Sequence, residues 1–155
     1  MSQDKLLCDQ MLGTLAKWLR LLGFDVYFVN GEMSDDDLIE VAKEEKRIII
    51  SRDKGLLRKA KKVGLETIPI ETTDLDQQIR EVIKVCKANK EKILTRCSLC
   101  NSVLREIDKK EVEGKVPDKV YKSHEKFWYC DKCRKIYWKG SHWVKIRERI
   151  KELMG

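Results

Sequence analysis

The chain has 155 residues and a mass of 18.3 kDa, enough for one ordinary domain or a small domain with an appendage, and too little for several large cores. With 42% apolar and 38% charged residues and two prolines it is expected to fold, and no apolar run approaches the roughly 18 residues of a membrane span. Basic residues number 33 against 26 acids, net +7, and the excess lies beyond residue 90, which suits a polyanionic partner for the C-terminal part.

In chain order, Leu6-Leu7-Cys8 reads as a buried strand closed by Asp9, and Met11 to Leu22 carries apolar residues at helical spacing until Gly23. Val26 to Val29 is a second strand, closed by Asn30-Gly31. Ser34 with Asp37 has the form of a capping box opening a helix whose apolar face is Leu38, Ile39, Val41 and Ala42. Ile48-Ile49-Ile50 is the clearest strand, followed at Ser51-Arg52-Asp53 by a helix through Leu56, Leu57 and Ala60 that stops near Gly64. Thr67-Ile68-Pro69-Ile70 is a short strand that its proline places near an edge, and Asp74 to Asn89 forms a long helix. Strands alternating with helices predict an α/β unit over residues 1–90, with a parallel sheet and helices on both faces.

After Lys90 the segments become short and rich in Cys, Lys and aromatics, predicting a second unit over residues 91–155 that ends in a basic amphipathic helix, His142 to Met154. Cys97-x-x-Cys100 and Cys130-x-x-Cys133 are two knuckles separated by 29 residues. Each presents two thiolates to one tetrahedral zinc, and four sulfur ligands close the coordination shell, so this zinc is expected to be structural. Cys8 and Cys86 fall on predicted core faces. Lys126, Trp128, Lys132, Arg134, Lys135 and Trp138 interleave rings with cations, as a single-stranded nucleic-acid surface requires, although a small ribbon also needs such rings for its core. Lys17 and Arg20, on the first helix, are further candidates for phosphate contact.

In an open α/β sheet, ligands bind beyond the carboxyl ends of the strands. Asp9, Asp35 to Asp37 and Asp53 fall there; clustered carboxylates favour a divalent cation between them, and hard oxygen donors select magnesium or manganese. Asp36 and Asp37 fit helix capping, leaving Asp35 toward the crevice. Asp25 begins its strand and belongs at the opposite edge, and Asp74 or Asp76 offers a fourth acid or a cap. No phosphate-cradling glycine loop, dinucleotide fingerprint or nucleophilic triad is present.

The ordered set Cys8-Asp9-Gln10-Met11-Leu12-Gly13-Thr14-Leu15-Ala16-Lys17-Trp18-Leu19-Arg20-Leu21-Leu22-Gly23-Phe24-Asp25, Asp35-x-x-Leu38-Ile39-x-Val41-Ala42, Arg47-Ile48-Ile49-Ile50-Ser51-Arg52-Asp53 and the two knuckles with Tyr137-Trp138-x-Gly140-Ser141-His142 resembles the PIN-like ribonuclease family named for the C terminus of the Mut-seven exonuclease proteins. The resemblance implies a PIN fold carrying a zinc ribbon and a metal-dependent nuclease site. Position by position, it implies Asp9, Asp35 and Asp53 as the magnesium or manganese site and Cys97, Cys100, Cys130 and Cys133 as zinc ligands. The expectation is therefore a cytoplasmic ribonuclease acting on single-stranded RNA, with a non-catalytic RNA- or ribosome-binding ribbon protein as the alternative.

Overall fold

The computed structural model describes residues 4–29 and 31–154; Asn30, expected to close the second strand, lies outside them. The first strands and helices are β1 (Lys5–Cys8), α1 (Gly13–Leu21), β2 (Asp25–Phe28), α2 (Asp35–Glu45), β3 (Ile48–Ser51), α3 (Lys54–Lys62), β4 (Thr67–Pro69) and α4 (Leu75–Val85). The four strands form one parallel sheet in the order β2-β1-β3-β4. Pro69, which lacks an N–H for a ladder, thus lies on an edge strand.

Local chemistry sets the element ends. Ser34 accepts the Asp37 N–H at 3.1 Å and starts α2, and the turn after α1 places Gly23 at φ +95. An added Cβ at Gly23 would lie 2.3 Å from the Lys92 carbonyl oxygen, so glycine is required here both by φ and by the close passage of a distant segment. The predicted first helix divides into a 3-10 turn, Gln10–Leu12, and α1. The division follows from Asp9, whose carboxylate takes the Met11 N–H at 3.0 Å and tightens the first turn.

Two apolar clusters cover the sheet. One joins Leu6, Cys8 and Ile50 to Leu15, Leu19 and Ile79, and also takes in Ile150 and Leu153; the other joins Leu7 and Ile49 to Leu38, Ile39, Leu56 and Ala60. Alternate strand residues therefore face opposite layers, with α1 and α4 on one side and α2 and α3 on the other. The near-continuous apolar strands fit a parallel sheet buried on both faces.

The remaining chain forms a three-stranded antiparallel sheet in the order β5-β6-β7, from β5 (Arg105–Ile107), β6 (Phe127–Cys130) and β7 (Lys135–Tyr137). The short α5 (Asp118–Ser123) lies between β5 and β6. Ile107, Val112, Val116 and Phe127 make a small core of its own. The last helix, α6 (Ser141–Met154), returns to the first unit. Its Ile150 is fully buried in the sheet's core cluster, its Arg149 is 2.6 Å from Asp76, and that guanidinium lies 4.7 Å from the Trp18 ring centroid.

The ribbon also docks through its first knuckle. Leu94 donates its N–H to the Leu21 carbonyl at 2.8 Å. The Asn101 side chain accepts the Val26 N–H at 2.9 Å and donates to Asp25 at 2.7 Å. Among the described residues, no helix is long and apolar enough to cross a membrane.

Candidate active site and metal centre

The cysteine sulfurs come together from two turns of similar construction. In the first, Asn101 N–H donates to the Cys97 carbonyl at 2.9 Å and Asn101 adopts φ 75; in the second, Arg134 N–H donates to the Cys130 carbonyl at 2.7 Å and Arg134 adopts φ 55. A left-handed residue directly after the second cysteine thus closes each knuckle. The four Sγ atoms lie within 4.8 Å of one another, with Cys97 to Cys133 at 3.8 Å and Cys100 to Cys130 at 3.4 Å. Zinc–sulfur bonds of about 2.3 Å at tetrahedral angles require sulfur separations of about 3.8 Å, so the donor set fits zinc.

Electrostatics agree. Burial opposes ionisation of Cys100, but hydrogen bonds from Ser102 and from the Cys130 and Cys133 thiols outweigh it and bring Cys100 down to about 6. Cys133, hydrogen-bonded to Cys100, is correspondingly pushed up to about 12. A divalent cation bound by the four sulfurs would drive the remaining thiols to ionise. By contrast, burial pushes the Cys8 thiol up, with the neighbouring Asp9 charge adding to it, and burial pushes Cys86 up to about 12. Both are inert core residues.

The aspartates occupy the opposite end of the sheet from the knuckles. Connections leave β1 toward β2 on one side, and β3 lies on the other, so the switch point at which open sheets take ligands lies beyond the carboxyl ends of β1 and β3. Asp9 follows β1 and Asp53 follows β3. One serine joins them: the Ser51 hydroxyl donates to Asp9 Oδ2 and accepts the Asp53 N–H at 2.9 Å. Asp9 is 7% exposed and Ser51 fully buried. Asp53 caps α3, accepting the N–H groups of Gly55 and Leu56 at 2.9 and 3.3 Å.

Asp35 stands in the first turn of α2, with one carboxylate oxygen 3.7 Å from Lys59 Nζ on α3. Among the described residues, the three aspartates do not gather as tightly as the cysteines do. Asp74 caps α4 through the Gln77 N–H at 3.0 Å and Asp76 is paired with Arg149, so each already has a structural role.

The expected phosphate-binding positions divide. Lys17 is exposed on α1, and Lys126, Lys132, Arg134 and Lys135 are exposed on the ribbon. Trp138 packs on the ribbon core and against Gly140, whereas Trp128 lies half-buried beneath Lys139, whose ammonium is 5.2 Å from its centroid. Arg20 requires correction. It is 7% exposed and donates to the carbonyls of Val26, Ser98 and Leu99, so its guanidinium ties β2 to the first knuckle and is not on a phosphate-facing surface. Asp25 accepts from Asn101 and lies 2.9 Å from the buried Arg47, at the sheet's amino edge.

A family model for the Mut7-C RNase domain matches residues 4–150. The chain belongs to this family. No curated protein and no solved structure matches it significantly. The Mut7-C match spans the parallel sheet, the cysteine ribbon and most of α6, so all three are parts of one family unit. Membership of an RNase-domain family points to a nuclease-type enzyme with RNA as its substrate, beside a cysteine cluster suited to zinc.

Two features of the Mut7-C chain escaped the sequence reading. Ser51 was visible only as part of a strand end, although a small polar residue inside an otherwise apolar strand terminus is a usable signal. The structural use of Arg20 had none, because its carbonyl partners Ser98 and Leu99 lie 78 and 79 positions away.

Proposed function

We propose that this chain is a metal-dependent ribonuclease that hydrolyses phosphodiester bonds of single-stranded RNA at the carboxyl edge of its parallel sheet. The observation that carries the reading is the Asp9–Ser51–Asp53 linkage at the carboxyl ends of β1 and β3, in a chain of an RNase-domain family. Asp9, Asp53 and, from the entrance of α2, Asp35 are the residues to hold magnesium or manganese. Magnesium keeps several waters and is commonly bound through one or two carboxylates plus substrate phosphates, so carboxylates more widely spaced than the cysteines suit it.

The bound ion would supply a water of lowered pKa and neutralise phosphate charge. The chain's own part is to fix Asp9 through Ser51 and the Met11 N–H, fix Asp53 through the start of α3, and balance Asp35 with Lys59. The basic ribbon supplies phosphate contacts that bring RNA to the protein. Reduced cysteines in a zinc centre suit a cytoplasmic setting.

The test is cleavage of end-labelled single-stranded RNA by zinc-replete protein in manganese, magnesium or chelator, beside Asp9→Asn. Metal-dependent cleavage absent from the variant is expected; identical cleavage by both proteins rejects the site. A second reading, an RNA- or ribosome-binding protein without catalysis, draws on the fact that both Asp9 oxygens already accept hydrogen bonds. It predicts tight, salt-sensitive RNA binding and no product at any metal concentration.

A further inference from the structure

Where the ribbon, the connecting segment and α6 meet, two adjoining hollows of about 210 Å³ each share Glu91, Ile93, Lys139 and Trp143. Three of the chain's four tryptophans, Trp128, Trp138 and Trp143, line them. Trp128 and Trp143 belong to none of the hydrophobic clusters of the described residues, so core formation does not account for them. The Lys139 ammonium lies 5.2 Å from the Trp128 centroid and 5.0 Å from that of Trp143, and the Arg147 guanidinium is 5.3 Å from the latter. The lining cations outnumber the one acid, Glu91. The indole Nε1 of Trp143 is buried and has no hydrogen-bond partner, a costly condition that a well-packed core residue avoids.

Indole rings interleaved with cations are the pattern of a site that stacks unpaired bases and follows their phosphates. A duplex keeps its bases stacked on one another and cannot offer their faces, and an acidic peptide would use the cations while leaving the rings idle. The groove also has a definite place. Leu21, the last residue of α1, lines it, whereas Asp9 precedes the other end of that helix. The nine residues of α1 span about 13 Å.

We propose that this groove is a second, non-catalytic binding site for single-stranded RNA, which holds bases at the end of the sheet opposite the aspartates and so favours substrates long enough to reach both. The proposal deepens the ribonuclease reading and rests on RNA being the substrate. A strand held here is anchored at a fixed distance from the catalytic edge, and fragments too short to span that distance lose the anchor.

The test measures binding of single-stranded RNA of about 12 nucleotides to full-length, zinc-loaded Asp9→Asn protein without magnesium or manganese, by tryptophan quenching and by anisotropy of the labelled RNA. Adding Trp143→Ala is expected to weaken binding about tenfold or more. Because that ring belongs to α6, Lys139→Glu, an exposed substitution, is made in parallel; it is expected to weaken binding and make the salt slope shallower by about 0.7.

In otherwise wild-type protein, both substitutions should lower kcat/KM for the long RNA and leave that for a trinucleotide unchanged. Unaltered affinity in both variants, equal affinity for duplex of the same length, or equal displacement by polyglutamate each overturns the proposal. Cleavage by the wild-type protein is scored separately. A protein that cleaves RNA but ignores groove substitutions loses only the groove, and one that binds through the groove but never cleaves loses only the catalytic reading.

Discussion

At the scale of single residues, the decisive group is a buried serine. Ser51 holds the Asp9 carboxylate by its hydroxyl hydrogen and the Asp53 backbone N–H by its oxygen, so it supports both aspartates from beneath. Residues in this supporting role typically account for 10- to 100-fold in metal affinity or activity. Ser51→Ala should therefore raise the manganese concentration needed for half-maximal cleavage by about 10-fold or more, with the zinc content unchanged, as read by metal titration beside elemental analysis. An unchanged titration would show that Asp9 holds its position without the serine.

The acids themselves were legible, because an aspartate closing an apolar strand in a βα pattern lands at the carboxyl edge whatever its neighbours. Arg20 was not. Its position on the helix is periodic information, but its partners are carbonyls brought in by tertiary docking, which no local pattern encodes.

Asp25 gives a pH prediction at the same scale. Burial opposes its ionisation, but hydrogen bonds from Asn101 and Arg47, and the charges of Arg47 and Arg96, outweigh that and hold its carboxyl below the usual carboxylate range. A folded-state pKa below the unfolded one contributes stability that is present above about 3.9 and is lost as pH falls through the folded value. Asp25→Asn should therefore melt below wild type near neutral pH, with the gap closing as the solution is acidified below about 4. A gap constant over that range would mean that the charge of Asp25 does not matter.

At the scale of elements, the helices and strands follow the apolar periodicity, and departures occur where side chains intervene at the ends. The turn Gln10–Leu12 is 3-10 because Asp9 caps it, and α4 ends at Val85 because Cys86 adopts an extended backbone. What periodicity does not disclose is the surface that an amphipathic helix covers. The stripe Val144, Ile146, Ile150 and Leu153 announces a buried face of α6, yet the same stripe would serve a ribbon core or a sheet core. The structure puts Ile150 and Leu153 against the sheet side. Ile150→Ala should cost about 2–5 kcal/mol and destabilise the parallel-sheet unit, as measured by denaturant unfolding. A loss confined to the ribbon, or none, would contradict that packing.

At the scale of the whole molecule, the cysteine cluster and the sheet are mechanically connected. The first knuckle holds Asn101 in a left-handed conformation, and from there its side chain takes the Val26 N–H and reaches Asp25, while Arg20 grips the Ser98 and Leu99 carbonyls. A zinc ion closing the four-sulfur cluster would therefore shape the surface that caps the amino edge of β2. The carboxyl edge has a separate support, since Val29 N–H donates to the Cys8 carbonyl at 3.1 Å and Ile70 N–H to the Ser51 carbonyl at 2.9 Å, neither involving the ribbon. Chelating zinc should thus act unevenly. Hydrogen exchange at the Val26 amide is expected to accelerate strongly once the knuckle loosens, whereas the Val29 and Ile70 amides keep most of their protection, because local opening follows the cooperative unit to which each bond belongs. Equal acceleration at all three would mean that sheet and ribbon unfold as one unit. No change at Val26 would mean that the knuckle keeps its docked form without metal.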